Sequence, residues 1–194
     1  SVYPNGNEIE SGAFSSATAL VSVTITDRFA SIGDSAFASC TSLESVTIPA
    51  RVATIGAGAF SGTVALTSFE IPEGSRLRSI GDYAFGASGL TSFDFSKAPI
   101  TYVGGHAFQD SALTTVSVPE TVTYIGQYAF AYCDDLAYAS IPYAGNSAAQ
   151  ASSVANTFGN DTESKTDMEL VITDATAITS GAFRGCSYLE SITI

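Results

Sequence analysis

Phenylalanine recurs along this 194-residue chain with a regularity that a globular fold has no physical reason to produce. Phe14, Phe37, Phe60, Phe85, Phe108, Phe130, Phe158 and Phe183 follow one another at intervals of 23, 23, 25, 23, 22, 28 and 25 residues. Around each lies a version of one phrase, clearest from Ile32 to Pro49, that reads I-G-x-x-A-F-x-x-C-x-x-L-x-x-V-x-I-P. A period in this range signals a solenoid, in which each unit buries its apolar side against the next.

Each unit parses into a strand, a turn and a return. Val46 and Ile48, two residues apart, fall on one face of an extended strand, as do Val23 with Ile25 and Val116 with Val118. Pro49, Pro72, Pro119 and Pro142 remove a donor where that strand should stop. A turn then leads to an apolar residue such as Phe29, Val52, Leu77, Ile100 or Val122. After Ile-Gly, Phe37, Cys40 and Leu43 recur every third position behind a capping Asp34 or Ser35, which predicts one to two helical turns. Stacked in register, such coils predict an α/β repeat solenoid with a parallel sheet on one side and short helical segments on the other.

The I-G-x-x-A-F-x-x-C-x-x-L-x-x-V-x-I-P unit resembles the BspA-type (Treponema pallidum-type) leucine-rich repeat and extends roughly from Ile9 to Ile194. The resemblance implies one curved solenoid over residues 1–194, with the sheet concave and the helical segments convex. Its repeats would run about 9–31, 32–54, 55–79, 80–102, 103–124 and 125–142, then a degenerate unit with an insertion at 143–177 and a truncated one at 178–194. The register breaks from Tyr143 to Asp167, where Phe158, Leu170 and Ile172 mark the degenerate coil. Members of that family are typical of bacterial cell surfaces and some mucosal parasites. The resemblance therefore implies an extracellular adhesion module that binds a host protein, another cell or a glycan through the solenoid surface, with no catalytic residues and no cofactor. A passive stalk presenting another domain is the alternative.

Charge narrows the partners. Seven Lys and Arg stand against 19 Asp and Glu, a net charge of -12, so a nucleic acid or an anionic lipid surface meets a repulsive field. No apolar run approaches the roughly 20 residues that span a bilayer. The start, Ser1 to Gly6, lacks an initiator Met and a charged-then-apolar leader, as in an excised or processed segment. Ending at Ser191-Ile192-Thr193-Ile194, in mid-strand, the chain is expected to continue or to pair end to end with another molecule.

The strand side of the coils presents two columns between the core positions. One holds Ser22, Ser45, Ser68, Ser92, Thr115, Tyr138 and Ser191; the other holds Thr24, Thr47, Glu70, Asp94, Ser117, Ser140 and Thr193. Ser and Thr are ordinary polar filler for a solvated sheet face, and the same columns are the natural place for a recognition strip. Thr47, Glu70, Ser92, Asp94, Thr115, Ser117 and Tyr138 are the candidate partner-binding residues. Glu70 and Asp94 would lie on adjacent coils about 4.8 Å apart, a repulsion to be relieved by Lys97, by a shared proton or by a partner's cation. Paired carboxylates also suit a retaining glycosidase, but an exposed sheet lacks the cleft that chemistry needs.

Other residues carry less. Tyr124, Tyr128, Tyr132, Tyr138 and Tyr143 concentrate near the sixth unit, where they either pack between coils or form an exposed patch. Cys40, Cys133 and Cys186 share a column with Ala17, Thr63, Ser88 and Ser111, so they read as small core filler and as three free thiols beyond bridging distance. His106 falls in a variable surface column with Ser35, Gly58, Tyr83 and Tyr128. Asp161 to Asp167 resembles a calcium loop only in charge, and Asn160-Asp161-Thr162 is a formal glycosylation sequon. No nucleophile elbow, phosphate loop or zinc spacing is present in the sequence.

Overall fold

The computed structural model describes residues 6–142, 158, 168–173 and 189–194. In chain order its strands are β1 (Glu8–Ile9), β2 (Ser22–Thr24), β3 (Ser31–Ile32), β4 (Ser45–Thr47), β5 (Thr54–Ile55), β6 (Ser68–Glu70), β7 (Ser79–Ile80), β8 (Tyr102–Val103), β9 (Thr115–Ser117), β10 (Tyr124–Ile125), β11 (Tyr138–Pro142), β12 (Met168–Thr173) and β13 (Leu189–Thr193). They form a parallel β-solenoid with two strand-bearing flanks. On one flank β1, β3, β5, β7, β8 and β10 stack as a six-stranded sheet of two-residue strands. On the other, β2, β4 and β6 form one sheet and β9, β11, β12 and β13 another. Register is the repeat itself: Val46 lies beside Val23 and Phe69, and Thr47 beside Thr24 and Glu70.

Within residues 6–142 the expected helical segments are absent, apart from one three-residue 3₁₀ turn; elsewhere among the described residues only Phe158 is helical. The stretch after Ile-Gly is instead a row of tight turns shared between coils. Ala36, Ala38 and Cys40 donate back three residues to Gly33, Ser35 and Phe37, while the alternate amides of Ser35, Phe37 and Ser39 donate to Ala57, Ala59 and Ser61 of the next coil at 2.7–2.8 Å. An α-helix would keep all its amides for itself; alternating turns free every second one to tie neighbouring coils together. The geometry requires a left-handed residue two before and two after the Phe, seen at Ser35 (φ 54°) and Ser39 (φ 57°), Gly58 and Gly62, Tyr83 and Ala87, His106 and Asp110, and Tyr128 and Tyr132.

The Gly of each Ile-Gly pair has a separate cause. A Cβ on Gly33, Gly56, Gly81, Gly104 or Gly126 would lie 2.3–2.7 Å from the preceding coil, in every case close against its backbone. Coils can approach this closely only where no side chain intervenes.

Inside, Phe14, Phe37, Phe60, Phe85, Phe108, Phe130 and Phe158 form one continuous ring stack with centroids 5.1–5.9 Å apart. Phe183 lies outside the described residues. Leu43, Leu66, Leu90, Leu113 and Leu136 close the core beside the stack.

The strand flank is interrupted at the fourth coil. Phe93 and Phe95 stand where the second coil carries Val46 and Ile48, and both are buried, packing against Phe69, Phe85, Phe108 and Phe130. Between them Asp94 turns its carboxylate back onto the chain, capping a 3₁₀ turn at Phe95–Lys97. A side chain that satisfies the backbone locally competes with strand pairing, so no strand forms here and β6 and β9 become inner sheet edges.

Candidate functional site

Interruption of the ladder leaves a hollow of about 370 Å³ lined by Thr47, Phe69, Glu70, Ile71, Pro72, Asp94 and Lys97. Its floor is apolar and its rim charged. Glu70, at the end of β6, accepts a hydrogen bond from Thr47 Oγ1 at 3.0 Å. Asp94 accepts from the Ser96 amide at 3.0 Å and from Ser96 Oγ at 2.6 Å. Lys97 pairs with Glu73, and that bond with the negative charge of Glu73 and, more weakly, Asp94 raises its pKa.

Glu70 and Asp94 thus meet around one hollow, but not as strand neighbours. The expectation of two carboxylates in one strand-paired column fails because Asp94 is a turn cap; each acid has its own hydroxyl or amide donors, and Lys97 is engaged mainly by Glu73. Thr47 belongs to the same cluster. Ser92 is exposed on the irregular fourth coil. Thr115 and Ser117 are exposed on β9, where Thr115 pairs in register with Tyr138, which is half-buried and flanked on its other side by Glu169. Six of the seven candidates therefore fall into two groups, Thr47, Glu70 and Asp94 around the hollow and Thr115, Ser117 and Tyr138 on the β9–β11 sheet, and Ser92 belongs to neither.

Aromatic residues organise a surface that the sequence alone did not reveal. Tyr83, His106 and Tyr128 stack on successive coils with centroids 4.4 and 5.1 Å apart, and Tyr102 stacks on Tyr124 at 4.8 Å. His106 is accordingly not an isolated variable residue; it sits between two tyrosines and bonds Gln109 through Nδ1. Tyr132 is exposed. Tyr143 lies outside the described residues, as do Asn160 and the Asp161–Asp167 segment. The signal that could have exposed this ladder is the column alignment itself: rings two residues before the Phe on three consecutive coils.

Cys40 and Cys133 are buried and free. Burial pushes both thiols up, Cys133 to about 11, and Cys133 Sγ lies 3.3 Å from Ser111 Oγ and donates to the Phe108 carbonyl at 3.2 Å. Cys186 lies outside the described residues. Among the described residues no group of three or more His, Cys, Asp and Glu is placed to hold a metal, and no helix is long and apolar enough to cross a membrane.

Solved structures share the fold. A leucine-rich repeat protein from Eubacterium ventriosum is 30% identical with a TM-score of 0.56 over 61% of this chain and 31% of its own. The T. pallidum leucine-rich repeat protein is 25% identical with a TM-score of 0.58 over 89% of this chain and 69% of its own. A leucine-rich repeat protein from Bacteroides ovatus, at 19% identity and a TM-score of 0.56, covers 90% of this chain and 45% of its own, and supports the fold alone. The chain thus spans less than a third of the first and less than half of the last. No curated protein matches it in sequence. The description of the BspA type leucine-rich repeat region matches residues 7–137 in six copies, and the chain belongs to that family.

Proposed function

We propose that this chain is a protein-binding repeat module that works in adhesion outside the cell, and that its partner is engaged at the hollow around Glu70 and Asp94. The observation that carries this is the break in the strand ladder: there the strand flank departs from its Ser/Thr face to offer a concave, apolar floor with two carboxylates on its rim. Buried apolar area supplies affinity, and charge at the rim selects a partner presenting Lys or Arg. Surface display rests on the family resemblance, and the buried thiols suit an oxidising exterior. No enzymatic role is proposed; solenoids of this kind are typically binding scaffolds.

A binding screen of the whole chain against extracellular-matrix proteins tests this, repeated with the Glu70→Gln/Asp94→Asn double variant. Gln can keep the Thr47 bond and Asn remains a good cap, so the variant removes two charges while preserving the fold. Partner affinity should fall about tenfold or more. Unchanged affinity removes the hollow from the interface, and a chain that captures no protein at all favours the stalk.

A further inference from the structure

Cations are scarce in this chain, and the solenoid gathers them. Of its seven Lys and Arg residues, five lie among the described residues, and all five fall in one arc, the turn between the strand flank and the six-stranded sheet, on the first four coils. Arg28, Arg51 and Arg76 each immediately precede the inward apolar residue of that turn, Phe29, Val52 and Leu77, so they repeat once per coil. Backbone bonds hold the arc in register: Arg76 N–H donates to Ala50 at 2.8 Å, Arg78 N–H to Ala53 at 2.9 Å and Ala53 N–H to Ala30 at 2.8 Å. All four arginines are exposed. Arg28 is steadied by the Gly6 carbonyl at 3.1 Å and by the Phe29 ring. Arg51, Arg76 and Arg78 have no ion-pair partner among the described residues, whereas Lys97 is held by Glu73.

Beside the arginines runs a column of hydroxyls. Ser31, Thr54 and Ser79 pair in register along the sheet, and the next residue in that column is Tyr102. One face of the Tyr102 ring is covered by Tyr124; the other looks along the sheet toward the small side chain of Ser79, and the residue is 37% exposed. Acidic residues limit the basic strip: Glu8 ends the hydroxyl column beside Ser31, and Asp27, Glu73 and Asp82 lie at its sides. A net charge of -12 does not cancel it, because at physiological ionic strength fields are screened beyond about 8 Å and the local cluster decides what binds.

We propose that this arc is a binding site for an acidic polysaccharide, sulfated or uronate-bearing, lying along the solenoid axis. Arginines that recur once per coil, on coils about 4.8 Å apart, offer a row of guanidinium forks to a linear polymer with repeated sulfate or carboxylate groups. The Ser/Thr column offers hydrogen bonds to sugar hydroxyls, and the free Tyr102 face offers a platform for one ring. An acidic peptide would use the arginines but leave the hydroxyls and the ring idle. A nucleic acid would need stacking surfaces for successive bases, and the track has one. The arc meets the hollow at Lys97, but its arginines, hydroxyl column and Tyr102 lie outside the hollow and do not depend on it.

Titration of the whole chain with a heparin octasaccharide, a hyaluronan oligosaccharide and a poly-glutamate peptide, at low and high salt, tests the proposal. The sulfated oligosaccharide should bind saturably and weaken as salt rises. Exposed charge pairs are worth about 1.4- to 5-fold each, so Arg51→Ser/Arg76→Ser/Arg78→Ser should lose between about threefold and a hundredfold, with an unchanged circular dichroism spectrum. Tyr102→Ser should lose about threefold for the oligosaccharide and nothing for poly-glutamate, and the Glu70→Gln/Asp94→Asn variant should bind as the parent does. Absence of saturable binding at low salt, or a triple variant that binds equally well, overturns the site. Poly-glutamate binding as tightly as the octasaccharide, with no effect of Tyr102→Ser, overturns the polysaccharide as its ligand.

Discussion

Tyr83 and His106 stack face to face, their centroids 4.4 Å apart and their planes 3° from parallel, although both residues hold the left-handed conformation at φ 55° and 57°. The turn row demands that conformation on every coil, and glycine meets it without strain at Gly12 and Gly58. For tyrosine and histidine the backbone cost is on the order of 1 kcal/mol, which ring stacking worth about 0.5 to 1.5 kcal/mol offsets. The ladder and the turn geometry therefore sustain each other.

Position in the turn row decides what a small substitution does. Ala87 has φ 52° and no ring to stack, so Ala87→Gly should be neutral to stabilising by up to about 1 kcal/mol in chemical denaturation. Gly126→Ala is the opposite case: its Cβ would lie 2.3 Å from the Gly105 amide nitrogen, so the coils must part and stability should drop by more than about 2 kcal/mol. Equal effects of the two changes would contradict the shared-turn architecture.

Truncating the central stack should reveal its directionality. Phe85 is fully buried between Phe60 and Phe108, and Phe85→Ala should cost roughly 3 to 5 kcal/mol. Phe14, 49% exposed at the end of the row, should lose distinctly less. Hydrogen exchange should show the loss from Phe85→Ala spreading to both adjacent coils, since each coil is stabilised by its neighbours.

Asp94 links the fold to the hollow. Asp94→Ala removes the acceptor for the Ser96 amide and hydroxyl and should destabilise by about 1 kcal/mol, whereas Asp94→Asn should nearly preserve stability. Thermal melts of the two variants separate the cap from the charge.

Cys133 should make the fold alkaline-sensitive. Burial raises its thiol from 9.0 to about 11, so the folded chain keeps a proton that the unfolded chain releases. That contribution is fully present below pH 9 and is lost as pH climbs toward 11, by on the order of 1 kcal/mol per pH unit across the interval. Cys133→Ala should flatten the stability profile in that window, and a thiol reagent at neutral pH should label Cys133 only on unfolding.

Much of this was open to inspection in the residue pattern. Phe14 to Phe158 recur because each must meet the same neighbour on the next coil, and that demand writes itself directly into spacing. The turn row was hidden because Phe37, Cys40 and Leu43, three residues apart, suit a helix as well as successive tight turns. What separates the two is where the Ser35, Phe37 and Ser39 amides go, and their acceptors are some 22 residues away. Thr47, Glu70 and Asp94 could be aligned as columns, but the Asx cap of Asp94 competes with the strand, and which wins depends on how Phe93 and Phe95 fit the core.

By itself the sequence determined the period, the inward residues and the family, because a repeated burial problem has a repeated local solution. Tertiary structure alone decided which side chains became neighbours across coils: the tyrosine ladder, the broken strand flank with its hollow, and the arginine arc. These are sums over residues from several coils, set by register and by a coil spacing shorter than any sequence separation, so a composition of -12 could conceal a basic track.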